Sequence, residues 1–257
     1  MIRRRESASG LLTSLKILAL CLVMAIPANP RAQETTAAAP MTTDQVVEEM
    51  VKRNAQRTED LQSYSATRSY HVKYQGISSL SADLEVTLTY QFPDKKEFKV
   101  LGESGSELLR KRVLRPLLQA ELEAVKDENR SKAVIRPENY EFRAAGYEQT
   151  PEGNFYVLEI GPKNKSKFLV RGRIWVAGED FGIARMEGEP SVNPSWWLKR
   201  TVIHASFQKT GKFWLPLRNE SQTQLRMLGK SWLTIDYGNY KVLKVRGDDA
   251  LPGIDPR

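Results

Sequence analysis

The chain has 257 residues, 40% hydrophobic and 27% charged, with a formal net charge of +8, which is enough to bury a sizeable core in one ordinary domain. A single cysteine, Cys21, excludes an intramolecular disulfide, and two histidines, His71 and His204, leave little for a metal centre of imidazole and thiolate.

Arg3-Arg4-Arg5 precede an unbroken apolar run, Ile17–Ile26, closed by Pro27. Ten residues are too few to cross a bilayer, which takes about 20. Basic end, short apolar run and small residues together read as a secretory signal peptide over residues 1–32, cleaved after Ala32, and so predict an exported protein. Two other readings are an uncleaved anchor and lipidation at Cys21, where Leu20 stands at a lipobox position that favours Gly or Ala. Cleavage takes five basic residues and one acidic from the 39 and 31 of the chain, so the net charge falls from +8 to +4. Nucleic acid is therefore not an expected partner.

Residues 33–42, rich in Ala and Thr, read as a disordered lead, 43–246 as one domain, and 247–257 as an irregular tail. Thr43 or Asp44 caps a helix reaching to about Tyr64, with Val46, Val47, Met50, Val51, Asn54 and Leu61 on one stripe. Tyr64–Tyr74 alternates as a strand with an aromatic face. Leu80, Ala82, Leu84, Val86, Leu88 and Tyr90 alternate with polar residues, giving the second strand one dry and one wet face. Glu97–Leu101 is a third, short strand.

Ser104–Asn129 changes period. Leu108, Leu109, Val113, Leu117, Leu118 and Leu122 recur at helical spacing, Ser104-x-x-Glu107 reads as a capping box, and Pro116 kinks or restarts the helix. Further strands are read over 139–149, 154–161, 168–176, 181–187, 199–209, 217–228 and 231–242. No alternation of strand and helix occurs, so the class is mainly β with flanking helices (α+β). The architecture is a strongly curved antiparallel sheet, or half-open β-barrel, of about ten or eleven strands in a single meander. An N-terminal helix and an inserted helical lid complete it.

The stretch Gly172–Arg200 organises this pattern. Arg173–Val176 ends a strand, Gly178-Glu179-Asp180 turns, and Phe181–Glu187 returns; Gly188, Pro190, Asn193 and Pro194 break the ladder before Trp196-Trp197 start another strand. This hairpin, followed by Phe213-Trp214-Leu215-Pro216, resembles the signature hairpin of periplasmic Lol-type outer-membrane lipoprotein-sorting proteins, in one of their uncharacterised subfamilies. The resemblance runs from Leu61 to Val242 and implies a cavity for acyl chains. In that family a basic residue before the proline that follows the second strand helps to lock the lid; here Phe92 precedes Pro93, and Arg68 is the residue that could substitute.

Catalytic constellations find simpler explanations. Gly102-Glu103-Ser104-Gly105-Ser106 misses the nucleophile-elbow spacing by one residue, and Ser104 reads as a helix cap. Glu179-Asp180, Glu187 and Glu189 read as exposed turn acids. The isolated histidines give no metal site, so no enzyme, catalytic residue, metal or cofactor is expected.

What remains is a concave apolar site with Tyr70, Leu84, Val86, Leu88, Tyr90, Trp175, Trp214 and Trp232 as candidate cavity residues. Leu108, Leu109, Val113, Leu117 and Leu118 would form the lid, whose Arg110, Lys111, Arg112 and Arg115 read as a solvated face or a contact for anionic headgroups. The expected partners are lipid or lipoprotein acyl chains, with a membrane surface or an envelope protein as further candidates. The alternative is an envelope-sensing module of the same fold that binds a protein.

Overall fold

The computed structural model describes residues 41–124, 126, 131–166, 169–192, 198–226 and 229–247. The signal peptide, Cys21, most of the lead, the tail beyond 247, and Asn193, Pro194, Trp196 and Trp197 lie outside them.

Helix α1 spans Thr43–Asp60. Thr42 caps it: its hydroxyl accepts the Gln45 N–H, and the Gln45 side chain accepts the Thr42 N–H at 2.9 Å. This reciprocal pair sets the start one residue before the expected caps. The helix ends before Tyr64 because Leu61 is already extended (φ −78°, ψ 91°) and opens the first strand.

Ten strands follow among the described residues: β1 Leu61–Gln75, β2 Ser79–Gln91, β3 Lys95–Gly105, β4 Tyr140–Thr150, β5 Gly153–Pro162, β6 Val170–Ala177, β7 Ile183–Pro190, β8 Leu198–Thr210, β9 Phe213–Leu225 and β10 Lys230–Val245. They form one antiparallel sheet in the order β3-β2-β1-β10-β9-β8-β7-β6-β5-β4. It is a curved sheet that does not close, since β3 and β4 are its two edges. The expected single meander is instead two meanders, β1–β3 and β4–β10, joined where the first and last strands pair from Leu61↔Val245 to Gln75↔Lys230.

Strand parity divides the two faces. Inward go Tyr64, Ala66, Arg68, Tyr70 and Val72 of β1, opposite Tyr90, Leu88, Val86, Leu84 and Ala82 of β2. Outward, charge alternates in sign along one line of partners, Arg143↔Glu159↔Arg173↔Glu187, which His204 and Glu220 continue, as cross-strand pairing favours on a wet face. A smaller outer cluster of Phe155, Val157, Trp175, Ala177 and Ala184 packs with Trp214.

The inner face is covered twice. Val46, Val47 and Met50 of α1 pack on Leu158, Ile160, Ile174 and Val176. The insertion after β3 packs on Tyr70, Val72, Leu84, Val86 and Ile235. Between them Leu61, Tyr64, Leu88, Phe213 and Leu215 make a third cluster.

The insertion links the two sheet edges. β3 runs past Leu101 to Gly105, whose φ of 77° turns the chain out of the sheet; the Ser106 N–H then donates to the Ser81 carbonyl at 2.7 Å. Ser106, not Ser104, caps the helix, accepting the Leu109 N–H. Ser104 is still in β3 and donates to the Asp83 carboxylate at 3.2 Å. The helix comprises α2 Glu107–Leu109, a π-helical turn Arg110–Leu114 and α3 Arg115–Ala124. The wide turn lies just ahead of Pro116: the Arg115 N–H reaches back five residues to the Arg110 carbonyl. Pro116 brings no N–H and its ring crowds the preceding turn, so the helix widens locally and restarts as α3 at Arg115.

Candidate hydrophobic-ligand site

Two grooves of ligand size are present among the described residues. One, of about 480 Å³, lies on the outer face among Glu141, Arg143, Glu159, Arg171 and Glu189, where Gly161, Gly172 and Gly188 leave room. Its walls are charged. The other, of about 410 Å³, lies on the inner face beneath the second half of α1. Leu61, Tyr64, Tyr90, Phe213 and Leu215 form its floor, Ile183, Phe207, Val134 and Ile135 its walls, and Asn54, Arg57 and Thr58 its rim. The Tyr64 ring lies 5.2 Å from Tyr90 and 5.8 Å from Tyr240. Aromatic and aliphatic walls with a few polar groups at the mouth suit a small apolar ligand.

The candidate residues fall in three places. Tyr90 lines the inner cavity, and so does Trp214, which also packs against the outer cluster. Tyr70, Leu84, Val86 and Leu88 share its face but are sealed: the first three by Leu109 and Leu114 of the insertion, Leu88 by Phe213 and Leu215. Trp175 and Trp232 are on the other face. Trp175 belongs to the outer cluster, and Trp232 stands opposite Lys73 and Gln222. Their strands carry the inward residues one position away, at Ile174, Val176, Leu233 and Ile235.

Among the lid leucines, Leu109 is buried and Val113, Leu117 and Leu118 pack against the same cluster, whereas Leu108 is 54% exposed. Leu114, 1% exposed, takes the central place. It lies at helical spacing from Leu117 and Leu118, and the π turn brings it, five positions after Leu109, onto the same face as that residue too.

Under this lid lies a polar cluster. Arg68, 4% exposed, donates through Nη1 to Glu121 of α3. The Tyr70 hydroxyl donates to the other Glu121 oxygen at 2.9 Å, and Lys96 Nζ lies 3.4 Å from the carboxylate. The guanidinium stacks 4.8 Å from the Tyr237 ring centre and 5.5 Å from that of Phe98. Burial alone would lower the Arg68 pKa, but Glu121 and the tyrosines outweigh it and the group stays charged. Burial pushes the Tyr237 hydroxyl up to about 12, and burial together with the Arg68 charge pulls the Lys96 ammonium down. Arg68, the residue expected to stand in for the basic residue that Phe92 replaces, thus ties the insertion to β1 through Glu121.

The hairpin turn is fastened to α1. Phe181, at φ 58°, tucks inward, stacks on Tyr156 (centroids 6.4 Å apart, 9° between planes) and carries Arg53 at 4.9 Å over its ring. Asp180 is not an exposed turn acid. It meets Lys209 at 2.9 Å, the Trp214 indole N–H at 3.0 Å, the Gly182 N–H at 3.2 Å and Arg57 at 3.3 Å. Burial raises its pKa, but these donors prevail and hold the carboxyl below the usual range. Glu187 pairs with His204 and Glu189 with Arg200 on the outer face.

His71 Nδ1 lies 2.6 Å from Asp83, which also accepts from Ser104. The carboxylate stands between hydroxyl and imidazole, the wrong order for a nucleophile–base–acid relay. Among the described residues no cluster of three or more His, Cys, Asp or Glu is placed to hold a metal, and no helix is long and apolar enough to cross a membrane.

No family model and no curated protein matches the sequence. Solved structures do resemble the fold. A domain described as outer membrane lipoprotein-sorting, from Vibrio parahaemolyticus, is 12% identical over 82% of this chain and 96% of its own, with a TM-score of 0.41. A LolA superfamily protein from Nitrosomonas europaea is 12% identical over 79% and 94%, at 0.37. A DUF1329 family protein from Desulfovibrio piger is 10% identical over 80% and 94%, at 0.38.

Proposed function

We propose that this chain is a periplasmic carrier or binding protein that holds a lipid, a lipoprotein acyl chain or another hydrophobic ligand on the inner face of its sheet, and that it acts without catalysis. The observation that carries this reading is the apolar cavity of about 410 Å³ beneath α1, beside a helical cover held by two buried leucines and one polar cluster. Lifting α2–α3 would uncover Tyr70, Leu84 and Val86 and extend the cavity along β1 and β2. Each methylene then buried would contribute about 0.8 kcal/mol. Outer-membrane lipoprotein sorting is the role that the sequence resemblance favours. Native mass spectrometry of protein purified without detergent tests the reading. Co-purifying lipid or lipopeptide, released by organic extraction, is the expected result. A homogeneous apo mass that lipid extracts leave unchanged would overturn it.

A further inference from the structure

Two cations, Arg68 and Lys96, converge on one carboxylate, Glu121, at the inner side of the lid. The cluster therefore carries surplus positive charge in a place where Arg68 is 4% exposed. One donor is idle: the Arg68 Nε is buried and has no hydrogen-bond partner. A guanidinium offers its donors as a fork suited to two oxygens of one anion, and Glu121 occupies only the Nη1 prong. Glu121 belongs to α3, so whatever lifts the lid takes this anion away. Arg68 would then lose its counter-charge beside the rings of Tyr237 and Phe98, and re-closure over a ligand would again need an anion there.

The cavity and the cluster share one face of β1. Tyr64, on its floor, and Arg68 point to the same side of β1, two inward positions apart. Burial pushes the Tyr64 hydroxyl up while the Arg68 guanidinium acts against it, so the two groups are neighbours. We infer that the ligand is an amphiphile with an anionic head, a carboxylate or a phosphate, whose oxygens replace Glu121 on Arg68 and Lys96 while its chain lies over Tyr64 and Leu215. Lid opening and ligand capture become one exchange of anions, and a neutral lipid cannot complete it. The inference rests on the reading of the inner cavity as an apolar ligand site, and adds the charge of the ligand.

The test compares ligands that share a chain and differ in the head. Oleate is set against oleyl alcohol, and oleoyl lysophosphatidate against monooleoylglycerol, each displacing a neutral fluorescent probe. Salt is held at 0.15 M, where exposed charges are screened beyond about 8 Å. The readout is the affinity ratio of anionic to neutral ligand, which cancels differences in chain burial. In the native protein this ratio is expected to be about ten- to a hundredfold, the range of a charge-assisted hydrogen bond. The anion with the larger ratio identifies the head as carboxylate or phosphate. Lys96→Gln lowers the ratio and Glu121→Gln, which removes the competing carboxylate, raises it; a melting curve of each variant confirms that it is folded. A ratio near one, or one that Lys96→Gln leaves unchanged, overturns the anionic head alone. Failure of all four ligands to displace the probe overturns the cavity reading as well.

Discussion

Leu114→Ala is the sharpest test of the cover as a separately moving part. Leu114 is 1% exposed and sits in the middle of the cluster formed with Tyr70, Val72, Leu84 and Val86. Truncating a buried leucine costs about 2–5 kcal/mol; the lower half applies because a short surface helix can settle into the space. About 3 kcal/mol corresponds to a factor of roughly 100 in the closed-to-open equilibrium. Hydrogen exchange reads this residue by residue. In the native protein the amides of Leu108–Leu122 should exchange faster than those of Leu80–Tyr90, since few buried contacts hold the insertion. In the variant the insertion amides should lose protection by up to that factor, stay less protected than β2, and regain protection when oleate is added. Equal protection of insertion and β2 in both proteins, unchanged by ligand, would show that the insertion unfolds only with the whole domain and is fixed core.

Other substitutions test the remaining parts. Met50→Ala, at a site 0% exposed under α1, should cost about 2–5 kcal/mol and lower the urea midpoint without changing its slope. Gly105→Ala places a Cβ 2.4 Å from the Ser81 carbonyl oxygen at a φ of 77°, so it should cost more than about 1 kcal/mol and loosen the start of the lid, read as faster exchange at Leu108–Leu109. Asp180→Asn should lower the melting temperature at pH 7. The folded carboxyl is held below its ordinary value near about 4, so its contribution is complete above that pH and fades as pH falls through the folded value. Melting curves of the two proteins should therefore converge below about pH 4, and a constant gap down to pH 2 would count against the role given to Asp180.

The strands were legible because their periodicity is two and one side is dry. Leu80–Tyr90 needs no tertiary information to be read as a half-buried strand, and its inner residues are the alternating ones. The joining of two meanders through β1 and β10 was not legible, because the register between strands so far apart in sequence leaves no local mark. The insertion is legible from its leucines: Leu109, Val113, Leu117 and Leu118 do pack on the sheet, while Leu108 faces out and Leu114, in the π turn, is the buried residue that the pattern left unnamed. Trp175 and Trp232 illustrate a different limit. Bulk and aromaticity favour burial on either side of a sheet, and only parity with Ile174 and Leu233 decides the side. Arg68 was singled out through the family resemblance. Its partner Glu121 carried no signal, since one glutamate on an amphipathic helix resembles every other until the helix is laid on the sheet.

The central claim is that an acyl chain lies in the inner cavity, and a chain-length series measures it most directly. Dissociation constants for straight-chain fatty acids from about eight to sixteen carbons should fall roughly fourfold per methylene, the equivalent of about 0.8 kcal/mol each, and then level off once the chain outgrows the space. Affinities that do not change with chain length, or no binding anywhere in the series, would contradict the account.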